Sequence, residues 1–231
     1  TMNDTATIET YDVNRIRADF PILASKVYGK PLVYLDNGAS AQKPQAVLDR
    51  LNEVYTTQYA NVHRGLHYLA NEATEAYELA REKVARFLNA KRKEEIIFTR
   101  NATEAINLVA YTFGHERIKA GDEIVLSIME HHSNMVPWHF LRERYGAVIK
   151  WAPVDDAGNF LLDEFEKLLG PRTKMVAITH MSNVLGTEVP VKDVTRLAHA
   201  HGIPVLLDGA QAAVHLDVDV QDIGCDFYAC T

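Results

Sequence analysis

Pro204-Val205-Leu206-Leu207-Asp208-Gly209-Ala210-Gln211-Ala212 is an apolar run closed by one carboxylate, a glycine and an amide. Preceded by Gly202-Ile203, it reads as a short strand buried on both faces, which is the mark of a parallel sheet. Asp208 then stands where the strand passes into its loop, the edge at which open α/β sheets bind ligands. A carboxylate left alone there is costly, so Asp208 needs a cationic or proton-bearing partner. The alternative is that Asp208 caps the following helix, since Asp-Gly after a strand is common turn chemistry.

Outward from this stretch, helical and strand patterns alternate. Val47, Leu48, Leu51, Val54 and Tyr55 share one face of a helix over 44–55, and Ala73, Ala76, Tyr77, Ala80, Val84, Phe87 and Leu88 share one over 73–88. Further helices are expected over 103–113, 135–145, 161–169 and 191–201. Strands are expected over 95–99, 124–128, 148–151, 175–179, 205–207 and 227–229. Such alternation predicts an α/β fold, a mainly parallel sheet with helices on both faces.

Composition narrows the function. The 231 residues, 47% hydrophobic, suffice for a full core and fit one α/β domain. A formal charge of −7 argues against a nucleic-acid partner. Residues 1–19 mix acidic, basic and apolar residues and read as neither signal nor transit peptide, and no apolar run reaches membrane-spanning length, so no membrane partner is expected. Cys225 and Cys230 make a disulfide framework untenable and fit a cytoplasmic location; core packing suits both. The dinucleotide glycine fingerprint and the Walker loop are missing from the sequence.

Five sites carry possible chemistry. Asp208 would suit the protonated ring nitrogen of pyridoxal phosphate, because an adjacent anion keeps that nitrogen protonated and lets the ring draw electrons from a substrate carbon. Arg100-Asn101-Ala102-Thr103-Glu104 opens a helix whose free N–H groups, with the Thr103 hydroxyl, can hold an anion; Asn101 or Thr103 as a plain cap is the alternative. In Met129-Glu130-His131-His132-Ser133-Asn134, His131 can lie flat on an aromatic cofactor or move protons, whereas His131, His132 and His139 lack the acidic or Cys partner that a metal site wants. Asn183 in Thr179-His180-Met181-Ser182-Asn183-Val184-Leu185-Gly186 can bond a ring oxygen or a substrate carboxylate, or make an Asx turn. Arg64 in Asn61-Val62-His63-Arg64-Gly65-Leu66-His67 offers a guanidinium suited to carboxylates, or is a solvated loop charge. Thr103, His131, Asn183 and Asp208 with Gln211 are expected to follow successive strands at one rim.

These segments, with Tyr34-Leu35-Asp36-Asn37-Gly38-Ala39-Ser40-Ala41-Gln42-Lys43-Pro44, Glu130 to Trp138 and His180 to Thr187, resemble the SufS branch of the cysteine desulfurases, within the class V aminotransferases and fold-type I pyridoxal phosphate (PLP) enzymes. The resemblance implies a cytoplasmic homodimer that takes sulfur from L-cysteine, releases L-alanine and passes a persulfide to an acceptor of the SufE or SufU type for iron–sulfur cluster assembly. It implies catalytic roles for His131, stacked on the ring, and Asp208, paired with the pyridinium. Gln211 would bond the phenolic oxygen, and Ala102, Thr103 and Thr231 the phosphate. Asn183 would meet cofactor and substrate carboxylate, while Gly38, Ala39, His63 and Arg64 would line the substrate entrance. Residues 1–43 are then an entrance-lining segment and 44–231 the PLP-binding large domain.

Two departures from the family pattern stand out. Ala102-Thr103 replaces two threonines common in relatives, removing one phosphate hydroxyl that backbone N–H groups can replace. The family's cofactor-holding lysine follows shortly after the position of Thr231, so this chain is expected to be an N-terminal part, without that lysine, the sulfur-accepting cysteine, the substrate-clamping arginine and the small C-terminal domain. Neither Cys225 nor Cys230 matches the nucleophile. A selenocysteine lyase or a cysteine sulfinate desulfinase would share this scaffold, and a catalytically silent dimerisation module is the reading from outside enzymology.

Overall fold

The computed structural model describes residues 11–231; residues 1–10, which belong to the expected 1–43 segment and to the N-terminal reading, lie outside the described residues. The chain divides into two compact units between Glu78 and Leu79. The division between 43 and 44 is drawn by role at the site, and the compact units do not bear on it.

The first unit is built from short elements. Helix α1 (Val13–Ala18) is capped by the Asp12 carboxylate, which accepts the Arg15 N–H at 3.0 Å. Strands β1 (Lys26–Val27) and β2 (Lys30–Pro31) form a small antiparallel hairpin. Its two-residue turn, Tyr28 and Gly29, has positive φ at both positions, matching the twist of the flanking strands. Helix α2 (Gln45–Glu53) runs on into a π turn (Val54–Gln58). The expected apolar stripe of α2 is uncovered: Leu51 is 52% and Tyr55 70% exposed. Helix α3 (Tyr68–Phe87) begins in this unit and ends in the next.

In the second unit, helix α4 (Ala102–Val109) passes through a π turn (Ala110–Gly114) into α5 (His115–Arg117). There follow β3 (Glu123–Ser127), α6 (Val136–Tyr145), β4 (Val148–Ala152), α7 (Leu162–Leu168), β5 (Thr173–Thr179), α8 (Val191–Ala200), β6 (Val205–Asp208), α9 (Ala212–His215), α10 (Val220–Ile223) and β7 (Phe227–Ala229). The strands form one parallel sheet in the order β4-β3-β5-β6-β7, as the alternation predicts.

Side chains alternate between the two faces of this sheet. Ile124, Leu126, Met175, Ala177, Leu206 and Ala229 meet Ile106 of α4 and Trp138 of α6 on one face. Val125, Val176, Ile178, Val205 and Leu207 meet Phe165 of α7 and Val194 of α8 on the other. Each fully buried Leu, Ile or Val contributes roughly 1.5–3 kcal/mol relative to exposure, so these double-sided strands dominate the stability of the unit.

One expected strand does not form. Residues 95–99 finish a 3-10 turn (Lys93–Glu95) and then run on without joining any ladder. Ile96 packs against the core while Ile97 is 69% exposed. The Arg81 guanidinium binds the Ile96 carbonyl and lies over the Phe98 ring. The period-2 pattern reports one buried side, but a ladder needs a neighbouring strand, and among the described residues none pairs here. Thr103 therefore follows an unpaired segment, not a strand of the sheet.

Candidate active site

The register aligns Thr179 with Asp208 and Asp208 with Ala229, so β5, β6 and β7 end level and release their loops at one rim. Asp208 is 4% exposed. One oxygen accepts the Ala210 N–H at 3.1 Å, which is the turn role the sequence left open. No Lys, Arg or His forms an ion pair with it among the described residues, so the turn contact leaves a buried anion without a cation. Burial pushes its pKa up, against the opposing Ala210 N–H and the nearby His131.

Gly209 is held by its N–H to the Ala229 carbonyl at 2.7 Å. A Cβ here would overlap the Tyr228 ring, so the sequence needs glycine at this point. The Tyr228 hydroxyl meets His180 Nδ1 at 3.0 Å, with the two rings edge to face. Burial lowers the His180 pKa and raises that of the Tyr228 phenol, which leaves both neutral at pH 7.

His131 opens the 3-10 turn His132–Asn134, and its Nδ1 lies 2.8 Å from the Ser133 hydroxyl. Beside it stands a residue that sequence reasoning passed over. Glu130 is 7% exposed. One of its oxygens accepts from the Ser127 hydroxyl at 2.5 Å and the Thr179 N–H at 2.9 Å, and the other from the Asn134 amide at 2.7 Å. Asn134 in turn accepts from the Trp138 indole at 3.0 Å. Burial pushes the Glu130 pKa up to about 7, with the Asp208 charge adding to the rise and three donors opposing it. The available signal was spacing, since Ser127 and Asn134 flank Glu130 at three and four residues.

The Asx-turn alternative for Asn183 does not form. Ser182 holds that turn, its hydroxyl accepting from Val184 at 3.3 Å and Leu185 at 3.1 Å. The exposed Asn183 amide makes no hydrogen bond among the described residues. A cleft of about 380 Å³ brings Asn183 together with His131, with Ile128, Val154 and Leu185 as apolar walls.

Helix α4 packs against β7 and the His132–Asn134 turn, so its start belongs to the same unit as this rim. Asn101 caps it, accepting the Glu104 N–H at 2.9 Å, while the Glu104 carboxylate turns back to the Arg100 N–H. The N–H groups of the buried Ala102 and the exposed Thr103 donate to no protein group among the described residues. Gln211 immediately precedes α9, and the exposed Thr231 lies two residues beyond β7.

In the first unit, Gly38 and Ala39 lie in an exposed turn, with the Ala39 N–H donating to the Asp36 carbonyl at 3.2 Å. His63 has a left-handed backbone (φ 68°). Its N–H donates to the Thr74 hydroxyl at 2.9 Å and its ring meets Glu78 at 3.1 Å. The exposed Arg64 next to it has no ion pair or hydrogen bond among the described residues. Burial pushes Cys225 up to about 12 and also raises Cys230, so neither supplies a thiolate near neutral pH.

The rim thus combines a buried carboxyl group, an imidazole and an amide without a hydrogen bond among the described residues, and the same unit holds a helix start whose first two N–H groups donate to no protein group among them. That set suits a planar ligand with a protonated nitrogen and an anionic tail. A probable cysteine desulfurase of Mycolicibacterium paratuberculosis is 52% identical over 95% of this chain and 32% of its own length. The cysteine desulfurase of Synechococcus elongatus is 52% identical over 94% of this chain and 35% of its own. Among solved structures, the Escherichia coli cysteine desulfurase CsdA superposes with a TM-score of 0.83 at 40% identity, over 94% of this chain and 53% of that one. The apo cysteine desulfurase of Thermococcus onnurineus gives 0.87 at 38%, over 94% and 52%. The chain therefore spans about a third to a half of the length of its relatives. The Aminotransferase class-V family model matches residues 33–231, and the chain belongs to that family.

Proposed function

We propose that this chain is the N-terminal part of a PLP-dependent cysteine desulfurase of the SufS type. Its reaction converts L-cysteine to L-alanine and passes the sulfur as a persulfide to an acceptor of the SufE or SufU type for iron–sulfur cluster assembly, in the cytoplasm. The observation that carries the reading is Asp208, a buried carboxylate at the sheet rim that forms no ion pair among the described residues. A protonated pyridine nitrogen is the partner that removes its desolvation cost, so the residues present fit the cofactor.

PLP supplies an electron sink for the bonds broken at the substrate Cα. Asp208 holds a proton on the ring nitrogen, and His131 covers the ring face and exchanges protons with the substrate. Gln211 donates to the phenolic oxygen. The N–H groups of Ala102 and Thr103, the Thr103 hydroxyl and Thr231 bind the phosphate. Asn183 orients the substrate carboxylate through its amide, which makes no hydrogen bond among the described residues. A protein of 30% identity solved "in complex with cysteine" supports cysteine as the substrate. Gly38, Ala39, His63 and Arg64 line the entrance of a homodimer's site, and the uncovered apolar stripe of α2 supplies surface for the partner subunit.

The test is the complete polypeptide purified with PLP and given L-cysteine. Alanine and reducible sulfane sulfur should appear in equal amounts, and borohydride should fix the cofactor to a lysine beyond Thr231. Alanine without sulfane sulfur, or attachment within residues 1–231, defeats the reading.

A further inference from the structure

We propose that Glu130 is the positioning residue for His131, its buried carboxylate locking the turn that presents the imidazole at the rim. Ser127 ends β3, Thr179 ends β5, and Asn134 closes the turn that His131 opens. The Glu130 carboxylate binds all three, so two strand ends and the turn are referred to one point. The lock extends inward through Asn134 to the fully buried Trp138, and outward through the Asn134 N–H to the His131 carbonyl at 2.8 Å. All three groups at the carboxylate donate, and no cation pairs with it among the described residues. An apolar residue would fill the same space more cheaply, so the carboxyl group is retained for its directional bonds.

Only the part of this inference that concerns a bound cofactor rests on the proposed function; the grip on the turn does not. Glu130→Gln keeps the shape but sets an amide N–H against a donor. In the complete, cofactor-free polypeptide, hydrogen exchange of the amides 131–135 should then quicken about tenfold while those of β3 and β5 hold, as expected for one lost buried hydrogen bond. Glu130→Asp should restore part of the protection. In a PLP titration followed by absorbance, Glu130→Gln and His131→Ala should each weaken binding about tenfold, and the double variant should be no weaker than His131→Ala alone.

Unchanged exchange at 131–135, or losses that add in the double variant, overturns the inference. Should Glu130→Gln fail to fold, Ser127→Ala, which removes one donor of three, must give the same pattern at smaller amplitude; its absence overturns the inference too. If the wild-type polypeptide does not bind PLP, the proposed function falls, and the exchange comparison alone decides the role of Glu130.

Discussion

Thr179 and Asp208 stand in register on adjacent parallel strands, yet the Thr179 N–H serves Glu130 and, among the described residues, leaves the Asp208 carboxylate with only the Ala210 N–H. The site thus holds a buried carboxyl group that no ion pair balances among the described residues. Because burial raises the folded-state pKa above the ordinary 3.8, its cost is absent in strong acid and grows as the pH rises through the folded value.

Asp208→Asn should therefore raise the thermal midpoint of the cofactor-free protein at pH 8 and leave it unchanged in strong acid. The same substitution in the complete enzyme should lower turnover of L-cysteine by about a thousandfold or more, through loss of the anion that protonates the ring. Calorimetry and steady-state kinetics on one variant check both halves. A lower midpoint at pH 8 would make Asp208 a structural cap.

At the opposite end of the sheet, Glu123 shows how a buried carboxylate is normally accommodated. Its side chain is 4% exposed, with Lys150 at 2.7 Å and Arg172 at 2.9 Å. Burial pushes its pKa up, but Lys150 and then Arg172 outweigh that and hold it below the ordinary 4.5. Its contribution is present above that value and fades as the pH falls through the folded one. Glu123→Gln should cost about 1.5–3 kcal/mol at pH 7, less in acid, as read from urea unfolding. An equal cost at pH 3 and pH 7 would show that the charge plays no part.

Close approach at the rim gives another test. Gly209→Ala drives a methyl into the Tyr228 ring and should cost about 1–3 kcal/mol. Tyr228→Ala removes the obstruction, so the double variant should be more stable than the sum of the two single losses implies. Strict additivity in urea melts would mean that the ring does not confine Gly209.

The sheet and the rim were legible in the sequence because their signals are local. Leu206-Leu207-Asp208 encodes a two-faced strand and its end in consecutive residues, and Asn101 encodes a helix start. Residues 95–99 were misread because alternation reveals a buried side but not whether a partner strand lies alongside. Glu130 was missed because its burial depends on Thr179, a residue 49 positions away that only the parallel pairing of β3 and β5 brings near. The Asx-turn alternative for Asn183 failed for a similar reason, since Ser182 competes for the same backbone donors and which one wins is a matter of side-chain direction.

The two cysteines should be inert. With burial pushing Cys225 up to about 12 and Cys230 upward as well, the native protein at pH 7.5 should react with a thiol reagent far more slowly than the denatured one. Cys225→Ser and Cys230→Ser should leave the proposed sulfur transfer by the complete polypeptide intact. Rapid labelling of either in the native protein would reopen it as a sulfur carrier.

Arg64 stands beside the anchored His63 and has no ion pair or hydrogen bond among the described residues. His63 adopts a left-handed backbone and is anchored to Thr74 and Glu78, while a side chain on Gly65 would overlap Ala70, so the loop carrying Arg64 has little freedom. A guanidinium carried on such a loop, without an ion pair or hydrogen bond among the described residues, suits paired hydrogen bonds to an anion, which lysine cannot reproduce. Arg64→Lys should impair the complete enzyme while leaving its thermal midpoint unchanged. If Arg64 serves the partner subunit's site in the proposed homodimer, mixing inactive Arg64→Ala with inactive Asp208→Ala protomers should restore activity, since some heterodimers then carry one intact site. No recovery, with subunit exchange demonstrated independently, would assign Arg64 to its own subunit's site or remove it from the chemistry.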